Sequence, residues 1–121
     1  MNRLMMCGLL ALVVIGGCGP SLQERRNLAV GNFQENRFEQ AKSQFKQIVD
    51  RNPDDAASYY YLGLIAQSEG KLTDAIYYYQ CALTADPSLD AARTMLSRAQ
   101  AQSPTGKELI FLPPLAEAPS D

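Results

Sequence analysis

Apolar positions along this chain fall into three regimes. A nearly continuous apolar run, Leu4 to Ile15, follows a single basic residue, Arg3. Between residues 22 and 102 the apolar positions instead recur at an interval of 34 residues. Beyond residue 103 one short apolar run, Leu109-Ile110-Phe111-Leu112, precedes Pro113, Pro114 and Pro119.

The recurring regime predicts helices. Residues 22–55 align with residues 56–89 without a gap. Leu28 pairs with Leu62, Ala41 with Ala75, Phe45 with Tyr79, Ile48 with Ala82 and Pro53 with Pro87. Asn36 and Gly70 mark turns that need left-handed backbone, which both residue types tolerate. Pro53 and Pro87 stop the helices before them. Ser21-Leu22-Gln23-Glu24 reads as a capping box that opens the first helix. Helices are therefore expected at 22–35, 38–51, 56–69, 72–85 and 89–102. The fifth has no partner helix. Ala91, Met95, Leu96 and Ala99 are expected to lay its apolar face over the second copy, leaving Arg93, Ser97 and Gln100 in water. Ser103-Pro104-Thr105-Gly106 ends it.

A 34-residue period with these residue types resembles the tetratricopeptide repeat, a helix–turn–helix unit that stacks into a superhelix. The second copy carries the fuller pattern, with Tyr59, Leu62-Gly63, Ala66, Gly70, Ala75, Tyr79, Ala82 and Pro87. The first copy departs from it with Arg25, Ala29 and Asn32 in place of Tyr59, Gly63 and Ala66, which suits a terminal repeat whose outer face meets water. The resemblance implies an all-α TPR helix-turn-helix solenoid: one repeat at 22–55, a second at 56–89 and a C-terminal capping helix at 90–103. Gly63, Ala66, Ala41 and Ala75 are then small because the two helices of a hairpin cross closely, and Phe45 and Tyr79 fill the space left. Solenoids usually need about three repeats. The domain is therefore expected to self-associate as a homo-oligomer or to be stabilised by its partner.

The first regime reads as a secretory signal peptide, with a charged start, a short apolar middle and small residues before Cys18. It is shorter than the roughly 20 residues that span a bilayer. Ile15-Gly16-Gly17-Cys18 resembles the lipobox of bacterial lipoproteins. That resemblance implies cleavage of residues 1–17 and a diacylglyceryl group on the Cys18 thiol. The alternative is an ordinary cleaved signal peptide with an incidental cysteine. At about 0.8 kcal/mol per buried CH₂, two or three acyl chains hold far more firmly than one. Residues 18–21 then serve as anchor and tether, and three extended residues reach roughly 10 Å, so the solenoid is expected close to the membrane surface. Gly19 stands where an aspartate marks inner-membrane retention in many lipoproteins. The expected location is the outer membrane, facing the periplasm, where the host has one.

Charge and candidate chemistry narrow the picture. The chain carries 11 basic residues, one of them Arg3 in the leader, against 13 acidic ones, with no basic cluster in the body. This argues against nucleic acid and against electrostatic adhesion to anionic lipid. With Cys7 in the leader and Cys18 acylated, Cys81 stands alone, either pairing between molecules or buried as a small apolar residue. There is no histidine, which removes imidazole metal sites and most acid–base designs. Asp54-Asp55 sits at a helix start, where capping and the helix dipole account for it. Glu35, Glu39 and Asp74 read as solvated helix faces. No enzyme activity, metal or cofactor is expected beyond the covalent lipid on Cys18.

All six tyrosines fall in two triplets, Tyr59-Tyr60-Tyr61 and Tyr77-Tyr78-Tyr79. Consecutive helical residues point about 100° apart, so neither triplet is wholly core. In the family resembled, the first helix of each hairpin lines a concave groove. That implies a groove formed by Arg26, Val30 and Phe33, by Tyr60, Leu64 and Gln67, and by Thr94 and Arg98 of the last helix. Tyr and Arg are types enriched in binding hot spots. Groups in this family that grip a partner's C-terminal carboxylates use a basic residue and an asparagine one turn apart. The corresponding pairs here are Arg26 with Val30 and Tyr60 with Leu64. The second is wholly uncharged, so an amphipathic helix or extended peptide suits the groove better. The resemblance thus implies a membrane-anchored adaptor that holds a protein partner in envelope assembly, such as a pilus, secretion or outer-membrane component. The alternative is a structural lipoprotein or an accessory subunit of a cell-wall enzyme, its groove occupied by its own tail, residues 104–121. That tail can also add to a partner's sheet edge or stay mobile.

Overall fold

The computed structural model describes residues 19–103. The expected signal peptide at 1–17, the expected lipid attachment at Cys18 and the expected tail at 104–121 lie outside the described residues. Within them the chain forms α1 (Leu22–Gln34), α2 (Phe38–Arg51), α3 (Ala56–Ser68), α4 (Leu72–Ala85) and α5 (Asp90–Gln102). The sequence pattern places each within one residue: α1 and α3 stop at 34 and 68 rather than 35 and 69, and α5 starts at 90 rather than 89.

Local chemistry sets these boundaries. At the start of α1 the Glu24 N–H donates to Ser21 Oγ at 3.2 Å, and the Ser21 N–H donates to Glu24 Oε2 at 2.8 Å. This reciprocal pair satisfies two donors that a helix start leaves orphaned. The turns within the hairpins share one device. Asn36 and Gly70 are left-handed, at φ 62° and 77°. After each, the next N–H reaches back to a carbonyl five residues earlier: Arg37 to Asn32 at 2.8 Å and Lys71 to Ala66 at 2.9 Å. With Asn36 N–H to Phe33 O and Gly70 N–H to Gln67 O, both are Schellman closures.

Helices α1 and α2 form one hairpin, α3 and α4 a second, and α5 packs on α4. Two core clusters follow. Ala29, Ala41, Phe45, Ile48, Leu62 and Ile65 form the first, and Ala66, Ala75, Ile76, Tyr79 and Ala99 the second. Tyr78 packs against both. At Gly63 the close helix crossing is literal, because an added Cβ would lie 2.4 Å from Tyr79 Cε1. Asn32, polar where the second hairpin has Ala66, is satisfied by donating from Nδ2 to Gln44 Oε1 at 2.8 Å.

Three positions differ from the expected packing. Leu28 and Leu62 share a repeat position, yet Leu62 is 1% exposed and Leu28 60%. Leu62 inserts between the hairpins, whereas Leu28 lies in the first hairpin of the described residues. In α5, Ala92 is fully buried and Ala91 is exposed, so the apolar stripe runs Ala92, Met95, Leu96, Ala99. Gln100, expected in water, is half-buried on the same helix. Arg93 and Ser97 are exposed as the pattern requires.

Candidate functional site

The first helix of each hairpin and the final helix are linked side to side. Arg26 of α1 forms an ion pair with Asp55, the N-cap of α3. Phe33 of α1 meets Tyr61 of α3 edge-on at 5.2 Å. Gln67 of α3 donates from Nε2 to Gln102 Oε1 of α5 at 3.4 Å. These contacts set α1, α3 and α5 in a row, with α2 and α4 behind.

The eight residues expected to face a groove divide along this row. Arg26 is half-buried and engaged. Its Nε donates to Asp55 Oδ2 at 3.3 Å and its Nη1 to Gln23 Oε1 at 2.7 Å. Val30 and Phe33 are half-buried against the first core cluster, with Phe33 also 5.5 Å from the Phe38 ring. Tyr60 and Leu64 are half-buried against the second cluster, and the Tyr60 ring lies 5.6 Å from Tyr61 and 6.1 Å from Tyr79. Gln67 accepts from the Tyr79 hydroxyl at 2.8 Å. Thr94 is exposed, and so is Arg98, whose Nη1 lies 3.8 Å from Met95 Sδ. Tyr60, Leu64 and Gln67 thus gather with α5 at one end. Arg26, Val30 and Phe33 form a separate group at the other.

Asp55 is the polar hub that sequence reasoning described only as a helix cap. It is 8% exposed and also accepts from the Ser58 N–H at 3.1 Å and from the Ser58 hydroxyl. Burial by itself raises its pKa. The hydrogen bonds from Arg26 and Ser58 outweigh that and hold the carboxyl below its ordinary value. Arg26 and Asp55 are 29 residues apart in sequence, with no periodic signal to connect them. One consequence is that Arg26 already has its carboxylate. Tyr79, fully buried, has its phenol pKa pushed up by desolvation and by the Tyr60 phenol, with Arg98 pulling the other way.

A hollow of about 560 Å³ lies away from these eight residues. It runs over the outward side of α4, where Tyr77, Cys81 and Thr84 face Tyr59 and Pro53. Cys81 is a free thiol, half-buried beside Tyr77, and burial raises its pKa. Sequence reasoning read Asp74 as a solvated helix face and Cys81 as a lone thiol, and assigned no binding role to this side, whose available signal was the mostly uncharged line of residues along α4. Among the described residues no group of three or more His, Cys, Asp or Glu side chains is placed to hold a metal ion. No described helix is long and apolar enough to cross a membrane.

Compared with known proteins, residues 27–90 match a family model described as tetratricopeptide repeat, just over half of the 121-residue chain. The match runs from within α1 to the first residue of α5. No curated protein matches.

Proposed function

From the premise that the chain belongs to the tetratricopeptide-repeat family, a fold that binds proteins, we propose that it is a membrane-anchored adaptor. In this reading the row α1–α3–α5 holds a helix or extended peptide of an envelope assembly component, a pilus, secretion or outer-membrane part. The observation that carries it is the half-buried Tyr60–Leu64 surface beside exposed Thr94 and Arg98. An aromatic ring already ordered against the core offers contact area at low entropic cost, and a nearby guanidinium supplies a polar rim. Engagement of Arg26 by Asp55 favours an apolar peptide over a grip on terminal carboxylates, because a new carboxylate would have to displace a half-buried ion pair.

The lipid supplies the address in this proposal. Only Gly19, Pro20 and Ser21 would separate acylated Cys18 from α1, and Gly19 and Pro20 are exposed, so the tether reaches roughly 10 Å. A protein held so close to a bilayer is suited to a partner that is itself at the membrane. Replacing Cys18 by Ser should release the protein from the membrane fraction and abolish incorporation of labelled palmitate. Retention on the membrane would refute the anchor.

The adaptor reading is tested by a photoreactive residue at Tyr60 in living cells. Capture of one envelope assembly protein, whose binding to the purified domain weakens about tenfold on Tyr60→Ala, supports it. Capture confined to this chain's own tail or to a second copy overturns it.

A further inference from the structure

The two hairpins treat their outward sides differently. On α2 the outward positions Glu39, Ser43, Lys46, Gln47, Asp50 and Arg51 are all exposed, and four of the six are charged. Thirty-four residues on, α4 carries Thr73, Tyr77, Gln80, Cys81, Thr84 and Ala85 at the same positions, none of them charged, and Asp74 at the near end is the one α4 charge that lines this side among the described residues. A helix side that faces water is normally charged and polar, as α2's is. On α4 the same side holds the 560 Å³ hollow and Tyr77, which with Leu28 is one of two large hydrophobic residues well exposed among the described residues. This is the composition of a covered surface.

The chain itself supplies a cover of the right kind at the right distance. Helix α5 runs antiparallel to α4, with Ala99 in one cluster with Ala75 and Ile76. The C-terminal part of α5 therefore lies beside the start of α4. Leu109 lies six residues beyond Ser103, a reach of up to about 20 Å. The side from Thr73 to Ala85 is about 18 Å long at helical rise. Leu109-Ile110-Phe111-Leu112 is the apolar run of residues 104–121, and Lys107 precedes it. Asp74 lies at the near end of the hollow. In the 34-residue register Leu109 falls at the position of Ala41 and Ala75, where a second helix of a further hairpin would pack, although Pro113 and Pro114 forbid a full one.

We propose that Leu109–Leu112 packs along the outward side of α4, over Tyr77 and Cys81, with Lys107 passing Asp74. The segment closes the open side of the second hairpin and leaves the row α1–α3–α5 free for a partner. The inference goes beyond the adaptor reading and stands without it.

Two measurements on the full-length chain test it. A photoreactive residue at Phe111 should crosslink within the same chain to the peptide spanning residues 72–85. Crosslinks directed to the Tyr60–Leu64 surface, to a second copy or to another protein overturn the proposal, as does the absence of any crosslink to α4. Second, maleimide labelling of Cys81, read at its own peptide by mass spectrometry, should run about tenfold faster in the Leu109→Asp/Phe111→Asp variant. An unchanged labelling rate, with helical content by circular dichroism also unchanged, overturns it. If that variant loses helix, the Phe111 crosslink decides.

Discussion

Alanine should have opposite effects at the two helical glycines, Gly31 in α1 and Gly63 in α3. In an exposed or half-exposed helix interior, Gly→Ala stabilises by roughly 0.5–1 kcal/mol, because glycine loses more backbone freedom on folding. Gly31 offers open space, with nothing within 4 Å of an added Cβ, so Gly31→Ala should show that gain. At Gly63 the same Cβ would lie 2.4, 2.6 and 2.9 Å from Cε1, Cδ1 and Cζ of Tyr79. The ring has no room to retreat: Tyr79 is fully buried, and its hydroxyl is bonded to Gln67 at 2.8 Å. Overpacking of this kind costs about 1–3 kcal/mol. It outweighs the propensity gain, for a net loss of about 1 kcal/mol or more. In a domain of this size each kcal/mol moves the Tm by roughly 4–8 °C, so the two variants should melt on opposite sides of the wild type. Urea titration supplies the same ranking without heating. In a Tyr79→Leu background Gly63→Ala should cost less by about 1 kcal/mol, since the clashing ring atoms are gone. Stabilisation by Gly63→Ala equal to that by Gly31→Ala would refute the close α3–α4 crossing.

Five further substitutions probe the polar and turn chemistry. Arg26→Ala should cost about 2 kcal/mol, because it strips a charged hydrogen-bond partner from buried Asp55; equilibrium unfolding at neutral pH measures it. The Asp55 carboxyl is held below its ordinary value, so its stabilisation is whole above the unfolded carboxyl's pKa of roughly 4 and is lost as pH falls through the folded value. Asp55→Asn should flatten that acid limb in a series of urea midpoints. Gly70→Ala should destabilise by about 1 kcal/mol from left-handed strain alone, since its Cβ meets nothing, while Asn36→Gly should stabilise by a few tenths; paired melting curves check both. Lys42 joins the hairpins through Glu69 at 2.9 Å, with Glu39 at 3.0 Å. Lys42→Ala should cost about 0.5 kcal/mol, an effect that shrinks in high salt.

The helices were legible because their signals are local and come twice. Asn36 and Gly70 each meet a steric demand that few residue types satisfy, and Ser21 and Glu24 close a box within one turn. The register then carried each landmark from one copy to the other. Burial was legible only where the repeat has a neighbour. Leu28 and Leu62 read alike, and the difference is that Leu62 packs into the first core cluster against the first hairpin. Ala91 and Ala92 are the same residue type, so composition alone could not orient α5. At the candidate site, side chains that help hold the domain together were hard to tell from side chains offered to a partner. Gln67 and Arg26 have helical addresses like that of Tyr60, yet the Tyr79 hydroxyl and Asp55 respectively occupy them. The mostly uncharged outward side of α4 was visible in the sequence but had no motif to name it.

Tyr78 touches both core clusters, and this bears on how the molecule comes apart. A stack of hairpins can in principle open one unit at a time, because each contacts only its neighbours. A large aromatic shared by both clusters couples those openings, since exposing either cluster strips contacts from the ring that completes the other. Amide exchange in the middles of α2, α3 and α4 should then converge on one common opening free energy, that of a single foldon, with faster exchange confined to α5 and the first turn of α1. Tyr78→Ala should split that common value in two, leaving hairpins that open separately while the backbone between them stays intact.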